Sequence, residues 1–183
     1  TVYVMGDFDA GAINRAISDP TLNITHINGA VTMYLLMSQD PSFESADYSR
    51  LVCATISGES APMSLLRRYH EEKALPLQNI YGLTECGPVL TALDRDTATT
   101  KMGSIGTAVL YTEIRLVGPD GKDVAPGEVG EIWARGPNVS PGYWNNPEKT
   151  QEAFEGDWLK SGDAARRDPA GYYFLIDRWK DMY

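Results

Sequence analysis

Cysteine is scarce in this 183-residue chain. Cys53 and Cys86 are its only two, which excludes a disulfide framework and leaves no cysteine spacing of the kind that holds a structural metal. That usage is compatible with a reducing compartment, and a cytoplasmic location is the default expectation. Positive charge is also in short supply, with 16 Lys and Arg against 25 Asp and Glu and a formal net charge of −9. A general nucleic-acid surface needs a basic excess, so nucleic acid is not an expected partner. Any phosphate site must then rely on backbone amides, a metal ion or a few placed cations. No apolar run is long enough to span a bilayer as a helix, and no signal peptide is evident. Internal repeats, low-complexity tracts and a Ser-His-Asp or Cys-His arrangement are likewise missing. The composition is otherwise ordinary for a globular domain, 43% hydrophobic and 22% charged, and the chain is long enough to bury a real core.

The pattern of what is present changes part-way along. Residues 1–107 read as alternating strands and helices, the α/β portion. Thr1 to Met5 is a short β-prone run, and Asp9 can cap a helix carrying Ala10, Ile13 and Ile17 that stops at Asp19-Pro20. A strand is expected at Ile24 to Ile27, an apolar helix at Val31 to Met37, and a buried-type strand at Leu51 to Ile56. Pro62 starts a helix through Leu65, Leu66 and Tyr69, and Leu77 to Tyr81 forms the next strand. Residues 108–183 read instead as a small β-rich, barrel-like subdomain. Glu113 to Val117 and Glu128 to Ala134 are strands around the turn Gly118-Pro119-Asp120-Gly121-Lys122, and Trp158-Leu159 and Tyr172 to Ile176 are further β-prone material. The expected fold class is therefore α/β, part of a doubly wound, mostly parallel sheet followed by that β-rich subdomain.

Four clusters carry chemistry. Asn79-Ile80-Tyr81-Gly82-Leu83-Thr84-Glu85 delivers an aromatic ring, a hydroxyl and a carboxylate at the carboxyl end of a strand, where ligands gather in open α/β sheets. A ring can stack on a base, a hydroxyl can bond a phosphate oxygen, and a carboxylate is a hard ligand for Mg²⁺. The same residues also suit a plain strand-to-loop turn. Ser57-Gly58-Glu59-Ser60-Ala61-Pro62 is a strand-to-helix elbow whose glycine permits close approach to a flat ligand. In Ser161-Gly162-Asp163 a carboxylate on a tight turn can accept from both hydroxyls of a ribose, or can serve the turn itself. In Asp177-Arg178-Trp179-Lys180-Asp181 the forked guanidinium of Arg178 can reach ribose or phosphate oxygens, or sit in a solvated terminal strand.

Order and spacing bind these clusters together. Ser-Gly-x-x-x-Pro, Tyr-Gly-Leu-Thr-Glu, Gly-Ser-Ile-Gly, Gly-Glu-Val-Gly-Glu-Ile, Pro-Gly-Tyr-Trp-Asn, Trp-Leu-x-Ser-Gly-Asp and Asp-Arg-x-Lys-Asp-Met follow one another along nearly the whole chain. This succession resembles the adenylate-forming superfamily and, within it, an acyl-CoA synthetase acting on fatty or aryl acids. The resemblance implies that Tyr81 stacks on adenine, opposite backbone around Gly58, Glu59 and Ser60, while Asn79 and Gly82 line the adenine and acyl end. It implies that Thr84 binds the α-phosphate, Glu85 holds Mg²⁺, Asp163 grips the ribose hydroxyls and Arg178 contacts ribose and phosphate. Thr84, Glu85 and Arg178 are the catalytic candidates. Lys180 would be the hinge between a large and a small domain. By the same analogy His26 and Val31 lie near the acyl pocket, although a packed strand-end histidine fits His26 equally well. Ser161 stands where the family usually has Thr, which keeps the hydroxyl, and Glu59 and Ser60 occupy an elbow often built of Gly and Ala.

The implied reaction joins ATP and a small carboxylic acid as acyl-AMP, releasing pyrophosphate, and then passes the acyl group to CoA, releasing AMP. Two elements of the family pattern are not in the chain: a Gly/Ser/Thr-rich phosphate loop ending in Pro-Lys-Gly, and a C-terminal domain carrying the lysine that polarises the carboxylate. The chain is thus expected to be an internal segment of a longer enzyme. Its partners would be the loop and the domain of that same enzyme, and alone it should turn over little and bind nucleotide weakly. Medium-to-long fatty acids and phenylpropanoid acids both fit as substrates, and the sequence does not fix oligomeric state. A carrier-protein-loading adenylation domain and a non-catalytic nucleotide-binding module are the alternative readings.

Overall fold

The computed structural model describes residues 2–182, arranged as two compact units. The first takes the chain up to Asn79 together with Asp94–Gly103, and the second takes Ile80–Leu93 with the chain from Ser104 onward. The expected strand at Thr1 to Met5 falls partly outside the described residues, and Val2 to Met5 forms none. β propensity is realised only where a neighbouring strand completes the ladder.

In the first unit, helix α1 spans Ala10–Ser18, and the Asp9 carboxylate accepts from the Ala12 amide at 2.6 Å as its N-cap. It ends at Asp19, whose extended backbone is what a following proline demands. Strand β1 (His26–Ala30) runs into α2 (Val31–Gln39). A short α3 (Ser42–Ser45) then leads to β2 (Cys53–Ser57), and α4 (Met63–Lys73) to β3 (Gln78–Tyr81). β1 pairs with β2 in parallel, and β2 with Gln78 and Asn79 of β3, also in parallel. Helices sit in the crossovers, as parallel pairing requires.

Leu65, Leu66 and Tyr69 on α4 and Val31, Tyr34 and Met37 on α2 face a core shared with Ile17, Phe43, Tyr48, Ala54 and Ile56. Its centre is aromatic. Tyr34, Phe43 and Tyr48 each meet the Tyr69 ring, with centroids 5.2–5.8 Å apart and edges turned to faces. Each phenol is satisfied: Tyr34 donates to the Thr55 carbonyl, Tyr69 to the Tyr34 carbonyl and Tyr48 to the Asn14 side-chain oxygen. Burial pushes all three phenols well above their ordinary value of 10.0. A raised value in the folded state means stability is intact below pH 10.0 and is lost as pH climbs toward the folded value. Melting temperature should therefore hold from pH 7 to 9 and fall steeply above pH 10. A flat profile to pH 11.5 would contradict this packing.

In the second unit, Ile80 and Tyr81 of β3 pair antiparallel with β4 (Thr91–Ala92), which pairs with β5 (Thr107–Ala108). A separate antiparallel sheet follows, built of β6 (Glu113–Val117), β7 (Val129–Arg135), β9 (Trp158–Arg167) and β10 (Tyr173–Arg178) in the order β10-β9-β7-β6. The short β8 (Phe154–Glu155) also pairs with β9. The expected turn between β6 and β7 is present, with the Gly118 amide bonded to the Lys122 carbonyl. β7 alternates half-buried and buried residues along its length, and Ile132 and Ala134 point into a core with Leu90, Ile105, Leu116, Leu159 and Tyr173. Asn146 caps α5 (Pro147–Ala153), with Pro147 in the first turn. The α/β class with an antiparallel β portion is thus the fold the sequence led us to expect.

Candidate nucleotide site

The site is built in the second unit from the end of β3, the 3₁₀ turn that follows it, and the middle of the antiparallel sheet. Tyr81 ends β3, and Gly82 follows where a Cβ would run into the backbone of Pro88 and Val89, so only glycine lets the chain turn here. Thr84–Cys86 form one 3₁₀ turn, held by the Cys86 thiol, which donates to the Leu83 carbonyl and meets the Leu83 amide at 3.0 Å. Burial raises the Cys86 thiol, which keeps it a neutral packing group. Asn138 ties the same turn down, donating to the carbonyls of Cys86 and Val89. The Ser140 amide donates to the Glu85 carbonyl at 2.7 Å. Thr84 and Glu85 are thus presented on a braced loop.

From the sheet comes Asp163. The expected tight turn at Ser161-Gly162-Asp163 is instead a bulge inside β9. Glu131 pairs with Ala164 and Trp133 with Lys160, so Ser161, Gly162 and Asp163 stand opposite the single residue Ile132. Gly162 takes φ +73°, the left-handed conformation that favours glycine. Sequence favours a turn for these three residue types, but strands β7 and β10 on either side hold them in the sheet.

Asp163 is the hub. The Tyr81 hydroxyl donates to one carboxylate oxygen at 2.7 Å, and Arg178, its pairing partner on β10, donates to the other at 2.9 Å. A carboxylate has about four acceptor sites, so two protein donors leave capacity for two more hydroxyls. The Asp163 side chain is 14% exposed and that of Arg178 57%. Burial, and then the charge of Asp163, push the Tyr81 phenol far up, so it remains a donor. Its ring is buried in the second core, and what it holds directly is Asp163.

Gly82, Leu83, Thr84, Glu85, Tyr143, Leu159, Lys160, Ser161 and Arg178 line a cavity of about 410 Å³, within the range of small-molecule sites. Tyr143 and Lys160 were singled out by no sequence signal. Each lies inside a motif, Pro-Gly-Tyr-Trp-Asn and Trp-Leu-x-Ser-Gly-Asp, that by itself gives it no role. The Tyr143 hydroxyl donates to Glu85 at 2.6 Å, and that bond, with some burial, raises its phenol. Among the described residues no group of three or more His, Cys, Asp or Glu could cage a metal. Glu85 is a lone carboxylate on a polar cavity that also holds Thr84. This suits Mg²⁺, which is commonly held by one or two carboxylates together with substrate phosphates and water.

The structure therefore brings Tyr81, Gly82, Thr84, Glu85, Asp163 and Arg178 together. Of the other predicted residues, all but Lys180 belong to the first unit. Gly58 (φ +98°), Glu59 and Ser60 form an exposed loop after β2, and Asn79, 8% exposed, lies in β3 paired with Ile56; all four belong to the first unit. His26 opens β1 with Nδ1 2.8 Å from the Thr25 hydroxyl, and Val31 is buried in the first core. Lys180 is exposed in a single 3₁₀ turn, Trp179–Asp181.

The cavity thus gathers the hydroxyls of Thr84, Tyr143 and Ser161, the cations Lys160 and Arg178 and the Glu85 carboxylate, beside an α/β unit and an antiparallel sheet in one chain. Residues 1–144 match the family described as AMP-binding enzyme, and the chain belongs to that family. It is 40% identical over 182 residues to a feruloyl-CoA synthase of Amycolatopsis sp, covering 100% of this chain and 36% of the relative. It is 35% identical over 158 residues to a long-chain-fatty-acid–CoA ligase of Salmonella typhimurium, 86% of this chain and 28% of the relative. A solved O-succinylbenzoate coenzyme A synthetase of Bacillus subtilis, in complex with ATP and magnesium ion, superposes with a TM-score of 0.82. That likeness has 28% identity and covers 95% of this chain and 35% of the solved one. The chain thus spans about a third of the length of these curated relatives. Among the described residues no helix is long and apolar enough to cross a membrane.

Proposed function

We propose that this chain is the nucleotide-holding segment of an ATP-dependent acid–CoA ligase that forms an acyl-adenylate and then a thioester. The observation that carries the reading is the convergence of Tyr81 and Arg178 on the two oxygens of Asp163, with Arg178, Thr84 and Glu85 facing one cavity. The names of the relatives support the choice of reaction, and the solved neighbour with ATP and magnesium supports the choice of cofactors.

The chemical obstacle is repulsion between an anionic acid and a polyanionic triphosphate, so positioning and charge neutralisation do most of the work. Asp163 would accept from the two ribose hydroxyls, fixing the nucleoside along the sheet. Thr84 would donate to an α-phosphate oxygen. Arg178 bonds Asp163 and lines the cavity, so its charge serves both the carboxylate and the phosphate. Mg²⁺, when bound, would neutralise phosphate charge, and Glu85 would hold it. Tyr81 would stack its ring on adenine, as the family resemblance implies, and its hydroxyl keeps Asp163 aimed. The backbone at Gly58, Glu59 and Ser60, with Asn79 and Gly82, would complete the adenine and acyl end. His26 and Val31 would border the acyl pocket, and Lys180 would be the hinge. Residues 1–107 would be the α/β portion of the AMP-binding domain and 108–183 the β-rich subdomain that ends at the hinge.

The test is a panel of acids given to the full-length protein with ATP, Mg²⁺ and CoA. Pyrophosphate release that depends on the acid, followed by thioester formation with ferulate-type or long-chain fatty acids, is the expected result. ATP hydrolysis indifferent to every acid would overturn the reading.

A further inference from the structure

The motif Gly127-Glu128-Val129-Gly130-Glu131-Ile132 supplies no residue to the cavity above, and the structure gives Glu131 an unusual position. It is a half-buried carboxylate on β7 with both oxygens engaged by the protein. One accepts the Gly162 amide at 3.0 Å, and the other accepts the Trp133 indole N–H at 2.8 Å. Trp133 is in turn fixed from above. The Arg115 guanidinium lies 6.0 Å from its ring centroid, and Arg115 is bonded to Asp123 at 2.6 Å. Gly162 is the centre of the bulge, where the ladder between β7 and β9 gives way. Its amide has left the regular ladder and is bonded to the Glu131 side chain. On the other side of the bulge the Asp163 amide donates to the Ser161 hydroxyl at 3.1 Å. The backbone that aims Asp163 is therefore held by two side chains, of which Glu131 is the charged one.

We propose that Glu131 is a positioning residue for the ribose, acting through the Gly162 amide to hold the β9 bulge in the one shape that presents Asp163 to the two hydroxyls. The inference rests on the nucleotide reading above. Glutamine at 131 keeps one acceptor and puts an N–H₂ where an acceptor is needed, so one of the two donors loses its partner while size is preserved. The loss should appear only in ligands that use Asp163.

The experiment compares AMP with 2′,3′-dideoxy-AMP by calorimetry on the full-length protein, in the parent, Glu131→Gln, Trp133→Phe and Asp163→Ala forms. Glu131→Gln should weaken AMP about 10-fold and leave the dideoxy ligand within about 2-fold of the parent. Trp133→Phe frees one Glu131 oxygen and leaves the Gly162 bond in place, so it should show the same selectivity at about 3-fold. It also stands in if the Glu131 variant fails to fold. Equal weakening of both ligands, or of neither, by Glu131→Gln, while Asp163→Ala weakens AMP far more than the dideoxy ligand, would overturn the role of Glu131 alone. If Asp163→Ala also weakens the two ligands equally, or neither, the nucleotide reading falls and the inference falls with it.

Discussion

Replacement of Glu85 by alanine is expected to lower acid-dependent pyrophosphate release by the full-length protein at least about 100-fold, because a metal ligand contributes several kcal/mol of transition-state charge stabilisation. The structure sharpens this expectation. Glu85 is braced by the Ser140 amide on its carbonyl and by the Tyr143 hydroxyl on its carboxylate, so the side chain is aimed before any ligand arrives. Removing it leaves the 3₁₀ turn intact, since that turn is held by Cys86 and Asn138. The melting temperature should therefore move little while the rate collapses. Titration of the variant with Mg²⁺ should show a large rise in the metal concentration needed for half-maximal rate. Robust pyrophosphate release by Glu85→Ala at ordinary Mg²⁺ would remove the metal assignment.

Asp163→Ala carries the second largest expected effect, and it acts on both stability and binding. The buried Tyr81 hydroxyl loses its acceptor, which costs about 1–3 kcal/mol of stability. Arg178 is more than half exposed, so water takes over its lost partner and little is forfeited there. Two hydrogen bonds from ribose hydroxyls to a charged acceptor should be lost together, and AMP affinity should fall about 100-fold. Calorimetry with AMP and a thermal melt read the two effects separately. Loss of stability with less than about a 3-fold change in affinity would mean that Asp163 serves the fold and not the nucleotide.

Much of the architecture could be read directly from residue types, where the signal is local. Asp9 before Ala10 and Pro62 before Met63 are helix starts that depend on side-chain capping and a fixed φ alone. The turn at Gly118 and the alternation along β7 are equally local. Other features depend on distant partners. Thr91–Ala92 and Thr107–Ala108 are two-residue strands, too short to show any period. Asp94–Gly103 groups with the first unit, where Arg95 donates to the carbonyls of Leu51 and Val52; nothing in the local sequence indicates that return.

The site divides in the same way. Tyr81, Thr84, Glu85, Asp163 and Arg178 stood out because their chemistry recurs in a fixed order. Tyr143, Lys160 and Glu131 did not, because a tyrosine hydroxyl on a carboxylate, a lysine on a cavity wall and a glutamate under a bulge acquire meaning only from what lies across the sheet. Ser161-Gly162-Asp163 was legible as a candidate cluster but not as a bulge. Serine, glycine and aspartate favour turns locally, and only the ladders on both sides override that preference.

The most direct measurement is a crystal structure of the full-length protein with AMP bound. The account predicts both ribose hydroxyls within about 3 Å of the Asp163 carboxylate, with the phosphate between Thr84 and Arg178 in the cavity beside Glu85. A nucleotide seated elsewhere, with Asp163 bonded only to Tyr81 and Arg178 as it is here, would contradict it.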